Sequence, residues 1–335
     1  MRDTILAMAK RRCVVTRRVH AVALATGLWA ASGAPAPASR TSPGQEDRAI
    51  KVAFYNIRSG KGVPGFRGRA AAFADVANCT DSTKPVNAWG AGIVQRALQD
   101  AIGGDDEVIA LGLAEAWTSV CASARNVRTA LGWAAASSSH NGVAMVARYG
   151  LRNESWQQLD TAQNNNPADT AWVLHADVSL DRAQRQTLAV YVAHWYATGA
   201  QQSAGYERQA RQTVAFMQQT SGGRPHVLIG DLNAWTAASE TCRQQPNGAA
   251  AVAVLTSAGY VDAWPALHGT ADGNTGMLNR AKCGQPEGAA WKRVDYAWSP
   301  RGLRPLDMTR FGIVPPGDPA PSDHYGIAVR YPRPR

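Results

Sequence analysis

Asn56, Glu115, His194, Asp231 with Asn233, Asp295, and Asp323 with His324 each stand where a short apolar run stops. They are carboxylates, carboxamides and imidazoles: hard oxygen donors next to acid–base groups. Carboxylates and carboxamides coordinate Mg²⁺ or Ca²⁺, and histidine exchanges a proton near neutral pH. Hydrolysis of a phosphate ester needs both, a cation to take up charge on the phosphoryl oxygens and a base to activate water. Each residue also has a plainer explanation. Asp231 and Asn233 in "HVLIGDLNAW" suit a tight turn, Asn56 a strand-end cap, Glu115 a solvated loop and His194 a satisfied core position. The recurrence at strand ends is informative, because layered α/β folds collect reactive groups where a rigid sheet fixes them and solvent reaches them.

The apolar runs that position these residues have strand character. "AIKVAFYNIRSG" ends at Asn56, "DEVIALGLAEAW" at Glu115, "QTLAVYVAHW" at His194, and the run Val227–Ile229 at Asp231. "GVAMVARYG", "AWVLHADVSL", "RVDYAW" and "YGIAVRYP" complete the strand set. "GRAAAFADVANC" and "AGIVQRALQDAI" have helical spacing. "SAGYERQARQTVAFMQQ" predicts a helix with Tyr206, Ala210, Thr213, Val214 and Met217 on one face. Residues 236 to 290 read as loop-heavy. Strands and helices interleave without a central linker, which argues for one α/β domain.

The net charge of +10 is unevenly placed. Residues 1 to 40 carry seven Lys/Arg against Asp3, leaving 28 basic and 24 acidic residues beyond them, a mild +4. Basic residues up to Arg18 precede a short apolar stretch, Ala21 to Ala31, and then small residues at Ala36-Pro37-Ala38. That is the pattern of a secretory signal peptide cleaved after Ala38, with Met8 an alternative start, and the stretch is too short to span a bilayer. The expected organisation is a signal peptide at 1–38, a short polar segment at 39–48 and one domain at 49–331, secreted or periplasmic. Cys79, Cys121, Cys242 and Cys283 remain after the leader, an even number that suits disulfides in an exported protein. Three connectivities are open. Cys79–Cys121 with Cys242–Cys283 is preferred, because each bond would staple a long insertion.

The order "FYNIRSG", "GLAEAW", "GVAMVAR", "VYVAHW", "IGDLNAW", "RVDYAW", "SDHYGIAV" resembles the endonuclease/exonuclease/phosphatase superfamily, the deoxyribonuclease I-like fold, over roughly residues 49 to 331. The resemblance implies an α/β four-layer sandwich, two packed mixed β-sheets flanked by helices. It also implies Glu115 as principal metal ligand with Asn56 and Asp323. Asp231 and Asn233 would hold the scissile phosphate or the attacking water. Asp295 would orient His324 as base, and His194 would contact the phosphate. Mg²⁺ is the implied cofactor, with Mn²⁺ or an additional Ca²⁺ as variants. The sequence departs from the family pattern at Ala114, where a Gln often precedes the glutamate. It departs again at Asn141, where some nucleases carry a second acid paired with the first histidine.

Fold does not fix substrate. Arg58, Lys61, Arg67 and Arg69, just after the first site strand, suit a phosphate backbone, as do Asn164 to Asn166 more weakly. The expectation is a secreted, monomeric, Mg²⁺-dependent endonuclease with DNA as substrate and without stable membrane insertion. The alternatives are a sphingomyelinase or phospholipase C-type enzyme, or a noncatalytic toxin-subunit-like binding protein on the same scaffold. A sphingomyelinase should expose an apolar aromatic hairpin to lipid, and no run of exposed aromatics stands out. Trp195 and Trp235 could stack on bases or belong to the core.

Overall fold

Along residues 50 to 55 successive side chains point to opposite faces, and those on both faces are buried: Ile50, Val52 and Phe54 on one, Ala53 and Tyr55 on the other. A strand of this kind must be covered above and below. The computed structural model describes residues 49–58, 89–116, 123–160, 170–196, 203–236, 247–277, 289–314 and 320–334. All of them fall within one compact unit, Ser42–Arg335.

In chain order the elements are β1 (Ala49–Asn56), α1 (Trp89–Leu98), β2 (Val108–Ala114), α2 (Ala124–Leu131), β3 (Ala135–Ala136), β4 (Ala144–Ala147), β5 (Leu151–Leu159), β6 (Ala171–Ser179), β7 (Thr187–His194), α3 (Ser203–Ser221), β8 (His226–Asp231), α4 (Ala249–Ser257), β9 (Tyr260–Asp262), α5 (Ala263–His268), β10 (Gly276–Met277), β11 (Ala290–Lys292), β12 (Asp295–Pro300), β13 (Asp307–Phe311) and β14 (Gly326–Pro332). They build two six-stranded sheets, in the orders β13-β14-β1-β2-β4-β3 and β5-β6-β7-β8-β12-β9, plus the small pair β10-β11. Both sheets are mixed: β1 runs parallel to β2 and β7 parallel to β8, among otherwise antiparallel neighbours.

The inner faces meet in a core of Val52, Phe54, Leu174, Val190, Val192, Val227, Ile229, Ile327 and Val329. Gly112 marks how close the sheets come, since a Cβ there would lie 2.8 Å from Val192 and 2.9 Å from Ile229. On the outer face of the first sheet, Val94 and Leu98 of α1 and Val127 of α2 pack with Tyr55, Leu111 and Leu113. Tyr206, Ala210 and Met217 of α3 and Leu255 of α4 cover the second sheet. The result is the four-layer helix–sheet–sheet–helix arrangement expected from the motif order.

The helical face expected on α3 is buried as read. Residues 236 to 290 are a correction, since α4, β9 and α5 lie among them. Their signal is propensity rather than period. The run Ala249–Leu255 is made of good helix formers and apolar residues but lacks the polar face that gives an amphipathic rhythm. The helix α2 was also missed, although Ser123 caps it by accepting from Asn126 N at 3.3 Å and Gly132 ends it at φ 66°. The helix expected over 68–79 lies outside the described residues. No helix among the described residues is long and apolar enough to cross a membrane.

Candidate active site

Asp295, Asp231 and His194 occupy one row across the second sheet: Asp295 is opposite Asp231, and Asp231 is opposite His194. Residues paired this way point to the same face. The alternation that places Ala297, Ile229 and Val192 in the inter-sheet core carries these three polar groups to the mouth of that core. Gly230 of "GDLN" has a packing cause, because a Cβ there would lie 2.2 Å from the carbonyl oxygen of Ala193 on β7. From the facing sheet, the same alternation turns Asn56 inward at the end of β1.

Asp231, 1% exposed, is the hub. Its Oδ2 accepts from Asn56 Nδ2 at 3.0 Å, and its Oδ1 accepts from Asn233 N at 2.9 Å. His194 Nε2 and His324 Nε2 each lie 3.7 Å from Oδ2. Asn233, at φ 50°, donates its amide to Trp195 O at 2.9 Å. This left-handed residue is the turn chemistry that the sequence offered as the plainer explanation, and here it serves to hold the carboxylate.

His324 enters from the loop before β14 and places Nδ1 2.9 Å from Asp295 Oδ2. With the carboxylate as acceptor, Nδ1 carries the hydrogen and Nε2 faces Asp231. Burial alone would lower the histidine's pKa, but the charges of Asp295 and Asp231 overcome it and hold the pKa well above the usual range. Burial raises the pKa of Asp295, with Asp231 adding to the rise and His324 opposing it. Ser322 Oγ donates to Asn56 O at 2.5 Å and accepts from His324 N at 3.2 Å, so β1 and the histidine loop are joined directly. Thr275 does the same on the other side. Its Oγ accepts from Val294 N and Asp295 N at 3.3 and 3.1 Å, and its carbonyl accepts from Tyr325 N at 2.8 Å.

The expected metal ligands lie on the first sheet's side of the mouth. Asn56 Nδ2 donates to Glu115 Oε1 at 3.2 Å, and Asn56 Oδ1 accepts from Arg58 N at 3.0 Å. Glu115 sits one residue past β2 at φ 54°, a left-handed turn that interrupts the strand's alternation. Among the described residues its carboxylate has Asn56 as a partner and no cationic one. Asp323 lies 3.5 Å from Arg58 Nε, with both side chains about two-fifths exposed. A half-buried carboxylate, an amide and a second acid are hard oxygen donors, and this set fits a Mg²⁺-like ion. Asp231, Asp295 and His324 also offer ligand atoms within 4.8 Å of one another. That closeness is accounted for by the hydrogen bond between His324 and Asp295.

All eight expected residues are therefore described and are linked into one network of contacts, Asp323 by way of Ser322 and Arg58. Thr275 was missed. It stands in "DGNTGM", which carries no recognisable signal for a group that supports Asp295. Trp195 is core, 1% exposed, with Nε1 donating to Thr213 Oγ1. Trp235 packs on Trp291 beneath Lys292. His175, His226 and His268 have structural partners in Ser155, Tyr260 and Met308 O. Lys61, Arg67, Arg69, Trp117, Asn164 to Asn166 and the four cysteines of the expected disulfides lie outside the described residues.

The Endonuclease/Exonuclease/phosphatase family model matches residues 53–324. No curated protein matches the sequence significantly. Solved structures with the same fold include an endonuclease/exonuclease/phosphatase from Bacteroides vulgatus, with TM-score 0.56 and 16% identity over 84% of this chain and 98% of that one. D. rerio TDP2 complexed with single strand DNA product has TM-score 0.55 and 14% identity over 84% and 98% of the two chains. The Bacteroides thetaiotaomicron mannosyl-6-phosphatase has TM-score 0.52 and 14% identity over the same shares.

Proposed function

The chain belongs to the endonuclease/exonuclease/phosphatase family, whose members are hydrolases of phosphate esters, and from that premise we propose a secreted, Mg²⁺-dependent phosphodiesterase that cleaves DNA. One observation carries the phosphate chemistry: the buried Oδ2 of Asp231 lies 3.7 Å from two imidazole Nε2 atoms, one of them oriented by Asp295. A structural carboxylate does not require two histidines at one oxygen beside a second buried acid.

The roles follow from geometry. Asp231, pinned by Asn56 and Asn233, receives a proton from the attacking water. His324 starts protonated between two carboxylates and gives its Nε2 proton to the leaving oxygen as the P–O bond breaks, an acid role in place of the base role expected for it. His194 contacts the phosphate from the other side. Glu115, with Asn56 and Asp323, would hold the divalent ion on which the family typically depends. When bound, such an ion neutralises charge on the phosphoryl oxygens.

The DNA substrate is supported by the cationic residues after β1, the first of them Arg58, and by the likeness to a fold relative solved with single strand DNA product. Export is supported by the order of basic, apolar and small residues within 1–38. A lipid substrate has less support, since the large apolar side chains exposed among the described residues are Leu306 and Ile313, not an aromatic hairpin.

The test is cleavage of plasmid and single-stranded DNA by protein beginning at Ser39, with Mg²⁺, with chelator, and as His324→Ala. Metal-dependent cleavage lost in the variant supports the reading. Turnover of a sugar phosphate monoester or of sphingomyelin, without DNA cleavage, would keep the chemistry and replace the substrate.

A further inference from the structure

The row Asp295, Asp231, His194 has a fourth member. Trp172 on β6 is directly opposite His194, so its indole shares the face and the edge of the reactive groups. Neighbouring strands lie about 4.8 Å apart, which puts Trp172 about 10 Å from Asp231 along the row. That is the reach from a scissile phosphate to the base of an adjoining nucleotide. The hydrolysis described above makes no use of this side chain.

Trp172 is not alone. The ring of His140 lies 5.3 Å from Trp172 and 4.2 Å from Trp156, tilted by 41° and 47°. His140 is exposed, and both tryptophans are partly exposed while resting on the inter-sheet core. The cluster is pre-organised. His140 N donates to Val143 O at 3.2 Å, and Val143 N donates to His140 O at 2.9 Å. Asn141 and Gly142 between them have φ 45° and 79°, the backbone of a tight primed hairpin turn. Gly142 O accepts from Ala116 N, one residue beyond Glu115, at 2.8 Å. On the other side, Asn141 Nδ2 and Trp172 Nε1 both donate to Thr170, through its carbonyl and its hydroxyl. The shelf is thus fastened both to the strand carrying the proposed metal ligand and to the strand beside His194.

We propose that Trp172, His140 and Trp156 form a stacking shelf for an unpaired nucleobase next to the scissile phosphate, which makes single-stranded nucleic acid the preferred substrate class. The inference rests on the phosphodiesterase reading and specifies its substrate. A base inside a duplex has both faces covered by its neighbours, whereas an unpaired base offers a face to aromatic rings. Such stacking is insensitive to base identity, so the shelf selects strand state rather than sequence.

The experiment measures binding by fluorescence anisotropy, with chelator present so that nothing is cut. The probes are a dye-labelled single strand, the same backbone with abasic spacers in place of bases, and the matching duplex. The wild-type protein is expected to bind the base-bearing strand about tenfold more tightly than the abasic one. His140→Ala, on an exposed side chain, should bring that ratio toward one, as should Trp156→Ala. Trp156→Phe should retain it, which separates stacking from a folding defect. Equal wild-type affinity for the two strands, or an unchanged ratio in both alanine variants, would overturn the shelf. Cleavage of the abasic strand with Mg²⁺ reports on the phosphodiesterase reading separately. Cutting without base preference removes the shelf and keeps the enzyme, while preference without any cutting does the reverse.

Discussion

His324 Nδ1 lies 2.9 Å from Oδ2 of Asp295, a carboxylate with 0% exposure. The pair orients the imidazole and, with Asp231, favours its protonated form. Asp295→Asn keeps the shape and removes one of the charges that hold the proton on the ring. The expected outcome is a fall in kcat of roughly 10²–10⁴-fold with KM little changed. Steady-state kinetics on a DNA substrate checks it, and a loss confined to KM would remove Asp295 from the reaction.

Glu115→Gln addresses the metal. The substitution is nearly isosteric and keeps an oxygen near Asn56, but it discards the charge a hard cation needs. Mg²⁺ affinity, followed by calorimetric titration, should fall by at least about tenfold, consistent with loss of a ligand charge. Chelator should abolish wild-type turnover and added Mg²⁺ restore it. Undiminished Mg²⁺ binding in the variant would move the ion elsewhere.

The motifs were legible because catalysis needs particular atoms at strand ends, and short continuous apolar runs announce the strands. Asn56, His194, Asp231 and Asp295 stand at such ends, and the order of the motifs along the chain assigned them to one site. Thr275 and the His140 turn were not legible. Thr275 acts through main-chain hydrogen bonds to a strand nineteen and twenty residues away. His140 gains its meaning from two tryptophans on other strands. The helix α4 escaped for the opposite reason, since its residues prefer helix but show no face.

The buried histidines away from the site contribute to the loss of stability in acid. Burial lowers the pKa of His226, and it lowers that of His175 with help from Arg224. Their folded pKa values therefore lie below the unfolded value of about 6.5. Such groups contribute stability that is present above that value and is lost as pH falls through the folded pKa. His324 has the opposite sign: its raised pKa contributes stability below about 6.5 that is lost as pH rises toward the folded value. Melting temperature should therefore decline below about pH 6.5, and His226→Gln should make that decline shallower. An unchanged acid slope in the variant would count against the assignment.

Gly230→Ala should destabilise the fold rather than merely slow the enzyme. Its added methyl meets the backbone of β7, which cannot rotate aside as a side chain would. The expected loss is about 3 kcal/mol or more, at or above the upper end of ordinary overpacking. Denaturant titration measures it, and a near-neutral result would mean that β7 and β8 can separate more easily than their pairing implies.

The bond from Ser322 to Asn56 joins residues 266 positions apart, and β14 completes the pairing of β1. Contacts of such long sequence separation are the slowest to form, because the loop they close costs entropy before the contact returns anything. Asn56, Glu115, His194 and Asp231 all precede His324 in the chain, and the segment at β14 supplies both that histidine and the antiparallel partner of β1. Completion of the candidate site is thereby tied to the docking of β14: a molecule cut before Ser322 keeps Asn56, Glu115, His194 and Asp231 but lacks the imidazole that Asp295 holds.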